Sequence, residues 1–209
     1  MALDEALLEA APRLGRPLLR FYAWSEPAAS FGYSQHYGDV ARWTELRPLI
    51  RRPTGGGLVP HANDWTYSLV FPPGHSWYAL PAVASYRRLH EWLYQAFARM
   101  RVATSLSPSP QKELPGRCFV GAEQFDLLCE GRKIAGAAQR RTRLGLLIQG
   151  SIQPPGRADR AAWQQAVRDV AAEEFRVRWE PWFPSPALLA RVRELAEQKY
   201  SQAAYTEKR

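Results

Sequence analysis

The sequence predicts an α+β fold, a single domain over residues 1–209 in which mixed and antiparallel sheets pack against helices. Three observations carry this. Strand and helix patterns follow one another without the regular alternation of a parallel βαβ sheet. Residues 125–152 read as two or three strands joined by tight turns, an antiparallel meander. Residues 82–100 carry an apolar stripe at helical spacing, formed by Tyr86, Leu89, Leu93, Ala96, Phe97 and Met100. A chain of 209 residues with 46% hydrophobic content is long enough to bury one core.

Taken in order, residues 2–12 form a helix because Leu3, Ala6, Leu7 and Ala10 share a face. Residues 18–24 read as a strand, and 29–35 as a shorter one around Gly32. An apolar stretch at 46–50 leads into Arg51-Arg52-Pro53-Thr54-Gly55-Gly56-Gly57. Three adjacent glycines among 14 in the chain are a local backbone demand, because glycine accepts φ > 0 and lets N–H groups approach a ligand. The two arginines add fixed positive charge. The run reads either as a flexible turn or as a loop that receives an anionic or carbonyl-bearing group through oriented amides. His61 and Asp64 at its exit favour a site.

Residues 66–71 are a strand, ended by Pro72-Pro73-Gly74. After the 82–100 helix, the proline-rich, polar segment 105–116 is a loop. In the meander, 125–129 alternate, Glu130-Gly131 supplies a turn, 133–139 continue and 145–152 return. A helix over 158–172 follows Pro154-Pro155-Gly156. A last helix starts with Ser185 as N-cap and Pro186 in the first turn, and runs to about Lys199.

Composition narrows the function classes. No apolar run is long enough to span a bilayer, and the N-terminus is acidic and amphipathic rather than a signal sequence. Two cysteines do not make a disulfide framework, which points to a reducing cytoplasm. The net charge of +8 suits an acidic partner. The basic pairs are scattered, however, at Arg51-Arg52, Arg87-Arg88, Arg132-Lys133 and Arg140-Arg141, with no helix-turn-helix, zinc-finger or stacking-platform pattern. Neither nucleic acid nor a membrane is the expected partner. His36, His75 and His90 lack metal-ligand spacing and are assigned structural or surface roles; no metal is expected. There is no Walker A pattern and no Gly-x-Ser-x-Gly elbow, although a Ser-His-Asp triad remains open.

The chemistry-bearing pair is Cys118 and Lys133. Cys118 follows the loop end Pro115-Gly116-Arg117, and a thiol there is accessible; a nearby ammonium stabilises its thiolate. The alternative is a small buried hydrophobe. That packing role suits Cys129, which shares a strand face with Phe125 and Leu127. Of 28 basic residues only Lys112, Lys133, Lys199 and Lys208 are lysines, so a lysine inside a structured segment marks a place where arginine does not serve. His61 orients a substrate or shuttles a proton, or else is hydrogen-bonded within its loop.

These residues resemble a known superfamily, the lipoate–protein ligases, octanoyltransferases and biotin–protein ligases. Arg51 to Gly57 with His61 and Thr66-Tyr67-Ser68 resembles its first signature. Lys133-Ile134-Ala135-Gly136-Ala137-Ala138-Gln139 resembles the second, which carries the family lysine. The resemblance extends from Met1-Ala2-Leu3-Asp4 to Glu197-Gln198-Lys199-Tyr200. Cys118-Phe119 upstream of Glu130-Gly131-Arg132-Lys133 is most similar to the Gram-positive type of octanoyltransferase.

That resemblance implies a ping-pong transfer. Octanoyl–acyl carrier protein acylates Cys118, activated by Lys133, and a lysine of an apo lipoyl domain, on glycine cleavage H protein or a 2-oxoacid dehydrogenase E2, takes the chain. Arg52, Thr54, Gly55, Gly56, Gly57, His61, Gly136 and Ala138 would bind the acyl substrate, with no cofactor. Three departures are visible. The chain begins inside the family's first helix motif, Val120-Gly121-Ala122-Glu123 after Cys118-Phe119 lacks the family's proline and serine, and Gly57 is more like the ligases. These keep open an ATP- and Mg-dependent lipoate–protein ligase that forms lipoyl-AMP.

Overall fold

The computed structural model describes residues 1–110, 121–156 and 158–208. Its elements are α1 (Ala2–Leu14), β1 (Leu18–Tyr22), β2 (Ala28–Phe31), α2 (Tyr37–Trp43), β3 (Leu49–Arg51), β4 (Val59–His61), β5 (Trp65–Phe71), α3 (Ser76–Ala79), α4 (Ala82–Arg99) and β6 (Ser105–Leu106). They continue with β7 (Leu127–Cys129), β8 (Arg132–Thr142), β9 (Gly145–Ile152), α5 (Arg160–Glu174), α6 (Pro186–Leu195), a π-helical turn (Ala196–Tyr200) and α7 (Ala203–Thr206). Six strands form one antiparallel sheet in the order β1-β5-β9-β8-β7-β6. A smaller sheet, β3-β2-β4, pairs β2 in parallel with β3 and antiparallel with β4. The α+β class and the mixed and antiparallel sheets are as the sequence predicts.

Period-two alternation on the central strands builds two cores. Trp65, Tyr67, Leu69 and Phe71 of β5, with Leu146, Ile148 and Ile152 of β9, face α4 and α5, where Leu89, Leu93, Phe97, Trp163 and Val167 meet them. On the other face Val70 and Leu147 pack against Leu7 and Leu8 of α1 and Leu188 and Leu195 of α6. The remaining positions of that second face are polar and buried: Thr66, Ser68, Gln149 and Ser151. Four buried polar side chains in two central strands are costly unless each is hydrogen-bonded. They meet Asp4 of α1 (Ser68 and Gln149), Asp64 after β4 (Thr66 and Ser151) and Thr54 of the glycine-run loop (Gln149).

Several boundaries differ from the sequence reading. The strand expected over 29–35 ends at Phe31, because the chain turns there with Gln35 N donating to Gly32 O; a Cβ at Gly32 would lie 2.1 Å from Gly56 O, so only glycine fits. The apolar stretch at 46–50 becomes strand only from Leu49. α2 and β4 carry no strong sequence signal. α2 has no side-chain N-cap, and β4 contains Pro60, which is tolerated because this strand lies at a sheet edge. The 105–116 loop opens with the short strand β6. The last helix leaves α geometry at Ala196 and ends in the π-helical turn, while Ser185 caps it as expected, accepting from Leu188 N. Among the described residues no helix is long and apolar enough to cross a membrane.

Candidate active site

A cavity of about 750 Å³ opens between the two sheets. The small sheet and its loop supply Ser30, Arg52, Gly55, Gly56, Gly57 and His61; the large sheet supplies Thr66, Lys133, Gly136, Ala138, Gln149 and Ser151. The first two turns of α4 add Val83 and Tyr86, and 121–125 closes one side. Of the expected substrate-binding residues, Arg52, Gly55, Gly56, Gly57, His61, Gly136 and Ala138 therefore line one space with Lys133. Thr54 lies behind the wall, fully buried, and its Oγ1 donates to Gln149 Oε1 at 2.8 Å. Cys118 lies outside the described residues.

The Lys133 side chain is 6% exposed and its Nζ meets Asp126 Oδ2 at 2.7 Å. A buried ammonium requires such a partner. Asp126 also accepts from Glu123 N at 2.6 Å and from the Tyr86 hydroxyl. Burial and the Asp126 charge push the Tyr86 phenol well above its ordinary pKa, so it stays protonated and donates. Gly136 makes the room for this arrangement: a Cβ there would stand 2.8 Å from Lys133 Cε and 2.9 Å from Nζ. Asp126 and Tyr86 escape the sequence reading. The one available signal was a carboxylate between Phe125 and Leu127, in a segment otherwise reading as an alternating strand.

The glycine run is held from behind. Arg52 donates through Nη2 to Gly55 O (2.9 Å) and Gly57 O (2.8 Å), and through Nη1 to Ser30 Oγ (2.9 Å). Arg51 is fully buried and turns elsewhere: it donates to the carbonyls of Tyr33 and Gln35 and to those of Tyr205 and Thr206. The pair of arginines shapes the loop through backbone carbonyls, and Arg51 adds no charge to the cavity wall.

His61 is 3% exposed and stacked on Trp24, with ring centroids 4.0 Å apart. Its Nδ1 is 2.8 Å from Asp64 Oδ2 and its Nε2 is 2.6 Å from Ser30 Oγ. Burial raises the Asp64 carboxyl, but the His61 contact together with donors Ser151 Oγ (2.7 Å) and Thr66 Oγ1 (3.0 Å) outweighs it and leaves the group below its ordinary pKa. Burial also holds the His61 ring below its ordinary value, aided by Arg52 and opposed by Asp64. An ionised Asp64 fixes the proton on Nδ1, so Nε2 accepts from the Ser30 hydroxyl. The triad left open by the sequence is thus present as Ser30–His61–Asp64. Among the described residues no group of three or more His, Cys, Asp or Glu is placed to hold a metal ion.

Cys129 is half-buried against the large core, the packing role expected for it. His75 caps α3, accepting from Trp77 N, and His90 is fully buried in α4.

The chain is similar to several known proteins. Relatives include the octanoyltransferase LipM of Carboxydothermus hydrogenoformans, 34% identical over 158 residues, covering 73% of this chain and 59% of the relative. That of Bacillus subtilis is 32% identical over 165 residues with the same coverage. The match thus spans about 60% of these relatives' length. Among solved structures, lipoate-protein ligase A bound with ATP superposes with a TM-score of 0.81 at 18% identity, over 99% of this chain and 92% of that one. Protein Ta0514 of T. acidophilum with bound lipoic acid gives 0.80 at 19% identity, over 100% and 92%. These structures share the fold. The model of the lipoyl protein ligase A/B catalytic domain matches residues 1–173, which hold both signature segments and every cavity residue named above, so the chain belongs to that family.

Proposed function

We propose that this chain is an octanoyltransferase of protein lipoylation, taking an octanoyl group from octanoyl–acyl carrier protein and passing it, by way of a thioester on Cys118, to a lysine of an apo lipoyl domain. Glycine cleavage H protein and 2-oxoacid dehydrogenase E2 are the acceptor types. The observation that carries the reading is Lys133, an ammonium buried by Gly136 and Asp126 at the wall of a largely apolar cavity. Relatives named octanoyltransferase at 32–35% identity support it.

In the first step the Cys118 sulfur attacks the incoming thioester carbonyl and the carrier thiol departs with a proton. A positive charge fixed at Lys133 favours the carbonyl oxygen as it gains negative charge. In the second step an amine displaces Cys118. One thioester is exchanged for another and then for an amide, so no nucleotide is required. Gly121, three positions along the chain from Cys118, lines the cavity that Lys133 borders. The reading sets the enzyme in a reducing cytoplasm, where a reactive thiol stays reduced, and its +8 charge steers acidic partner proteins.

Intact-mass measurement after incubation with octanoyl–acyl carrier protein tests this. One octanoyl adduct is expected on the wild type and none on Cys118→Ala. Lipoyl-AMP formation from free lipoate and ATP, retained in Cys118→Ala, would establish the ligase instead.

A further inference from the structure

α4 does more than close the core. Its buried positions, among them Leu89, Leu93 and Phe97, face the large sheet, and Val83 and Tyr86 near its start line the cavity. Two large apolar side chains of this helix stay outside: Val83 is 64% exposed and Tyr94 41%. Positions 83, 87 and 94 fall within about 40° of one another around the helix, so they form one stripe of roughly 16 Å that starts at the cavity mouth. Arg87 occupies the middle of it. Its side chain is 59% exposed, and the guanidinium carbon stands 5.5 Å from the ring centroid of Phe125, another cavity-lining residue.

The start of this helix is positive. Arg141 of β8 is exposed and reaches the same end, donating to Tyr78 O and to Ser85 Oγ. No acidic residue lies in the first turn of α4, where the helix N-terminus adds its own positive end. Glu91 pairs with Arg87 at 2.7 Å, but an exposed pair of this kind is worth little, so an incoming carboxylate can compete for the guanidinium. Resting on the octanoyltransferase reading, we propose that the Val83–Arg87–Tyr94 stripe is the docking site for an acidic amphipathic helix of the donor carrier protein.

A second helix is the element that fits such a stripe. Laid along α4, it meets Val83 and Tyr94 with apolar side chains at helical spacing. Its carboxylates pair with Arg87 and Arg141. These charges steer the encounter and fix its register, while the two apolar side chains supply contact area. One end of the docked helix then lies over the cavity that Val83 and Phe125 border. The stripe runs away from the mouth, which suits a partner held back by the length of its acyl arm. That describes the donor, since the acceptor must bring its own lysine to the mouth.

Kinetics with two donors test this. Octanoyl–acyl carrier protein presents the helix; octanoyl-pantetheine is the same thioester without the protein. Arg87→Glu and Tyr94→Glu are each expected to raise KM for octanoyl–acyl carrier protein about tenfold, with kcat kept and octanoyl-pantetheine kinetics unchanged. The salt dependence of kcat/KM is expected to flatten in Arg87→Glu, and Glu91→Lys is expected to lower KM at low salt. Both side chains replaced by glutamate are exposed, so the fold is not at stake. Fluorescence anisotropy of labelled holo acyl carrier protein is expected to show the same weakening without turnover. An unchanged KM for the carrier in Arg87→Glu, or an equal loss with octanoyl-pantetheine, would overturn the docking stripe. So would a loss confined to the apo lipoyl domain, or a dimer of this chain that Arg87→Glu dissociates. A wild type that takes octanoyl from neither donor would overturn the octanoyltransferase reading instead.

Discussion

At Gly136 a single methyl group decides where the Lys133 ammonium sits. Alanine there would bring Cβ to 2.8–2.9 Å from the end of a flexible side chain, so the lysine shifts rather than the strand. Gly136→Ala is expected to leave the melting temperature within a few degrees of wild type and, under the proposed octanoyltransferase function, to slow acylation of Cys118 by about 10²-fold, the scale of a 1 Å misplacement at a reacting centre. A large drop in melting temperature would show that the glycine serves the strand instead. Asp126→Asn acts differently. It removes the carboxylate paired with a buried ammonium, and breaking a buried ion pair costs about 3–5 kcal/mol, measurable by urea unfolding. Lys133 was legible in the sequence because a lysine in an arginine-rich chain and a following small-residue run both single it out. Asp126 was not, because a carboxylate gains its meaning from an ammonium that only β7–β8 pairing brings alongside.

The elements carry a second lesson through Arg51. It sits at the end of β3 and holds four carbonyls, two after the Gly32 turn and two in α7, joining the start of the small sheet to residues more than 150 positions later. Lysine keeps the charge but lacks the planar fork of donors. Arg51→Lys is expected to cost about 1.5–3 kcal/mol and to speed amide exchange in α7 and residues 32–35 ahead of the sheet core. Uniform loss of protection would argue against a clamp. α4 and the meander strands were readable because a long periodic face or a tight turn announces them. α2 and β4 were not: one is seven residues without a side-chain cap, the other holds a proline and exists because β2 lies beside it. The glycine run was legible as a special backbone segment, and it lines the cavity. Its local geometry was not, since Arg52 reaches back to carbonyls of the same loop, and Gly32 packs on it from a turn more than 20 residues earlier.

For the whole molecule, packing two cores on one antiparallel sheet buries ionisable groups whose protonation then sets stability. His90 is the clearest. It lies fully buried on α4, its Nδ1 donates to Tyr86 O at 2.9 Å, and burial pushes its pKa from 6.5 down to about 4. His61 and His75 are lowered for the same primary reason. The sign follows from linkage: between pH 6.5 and 4 the unfolded chain binds a proton at position 90 that the folded protein refuses. The stabilisation from a neutral His90 is therefore complete above the unfolded value and lost as pH falls through that window. Urea unfolding at pH 5 is expected to give a free energy about 2 kcal/mol below that at pH 7.5 from His90 alone. His90→Leu should remove that part of the slope while keeping the core apolar. Asp4 and Asp64, both held below their ordinary values, add a separate loss only below about pH 4, where their unfolded counterparts protonate. A profile flat from pH 7.5 to 5, falling only below 4, would assign acid sensitivity to the carboxylates and clear the histidines.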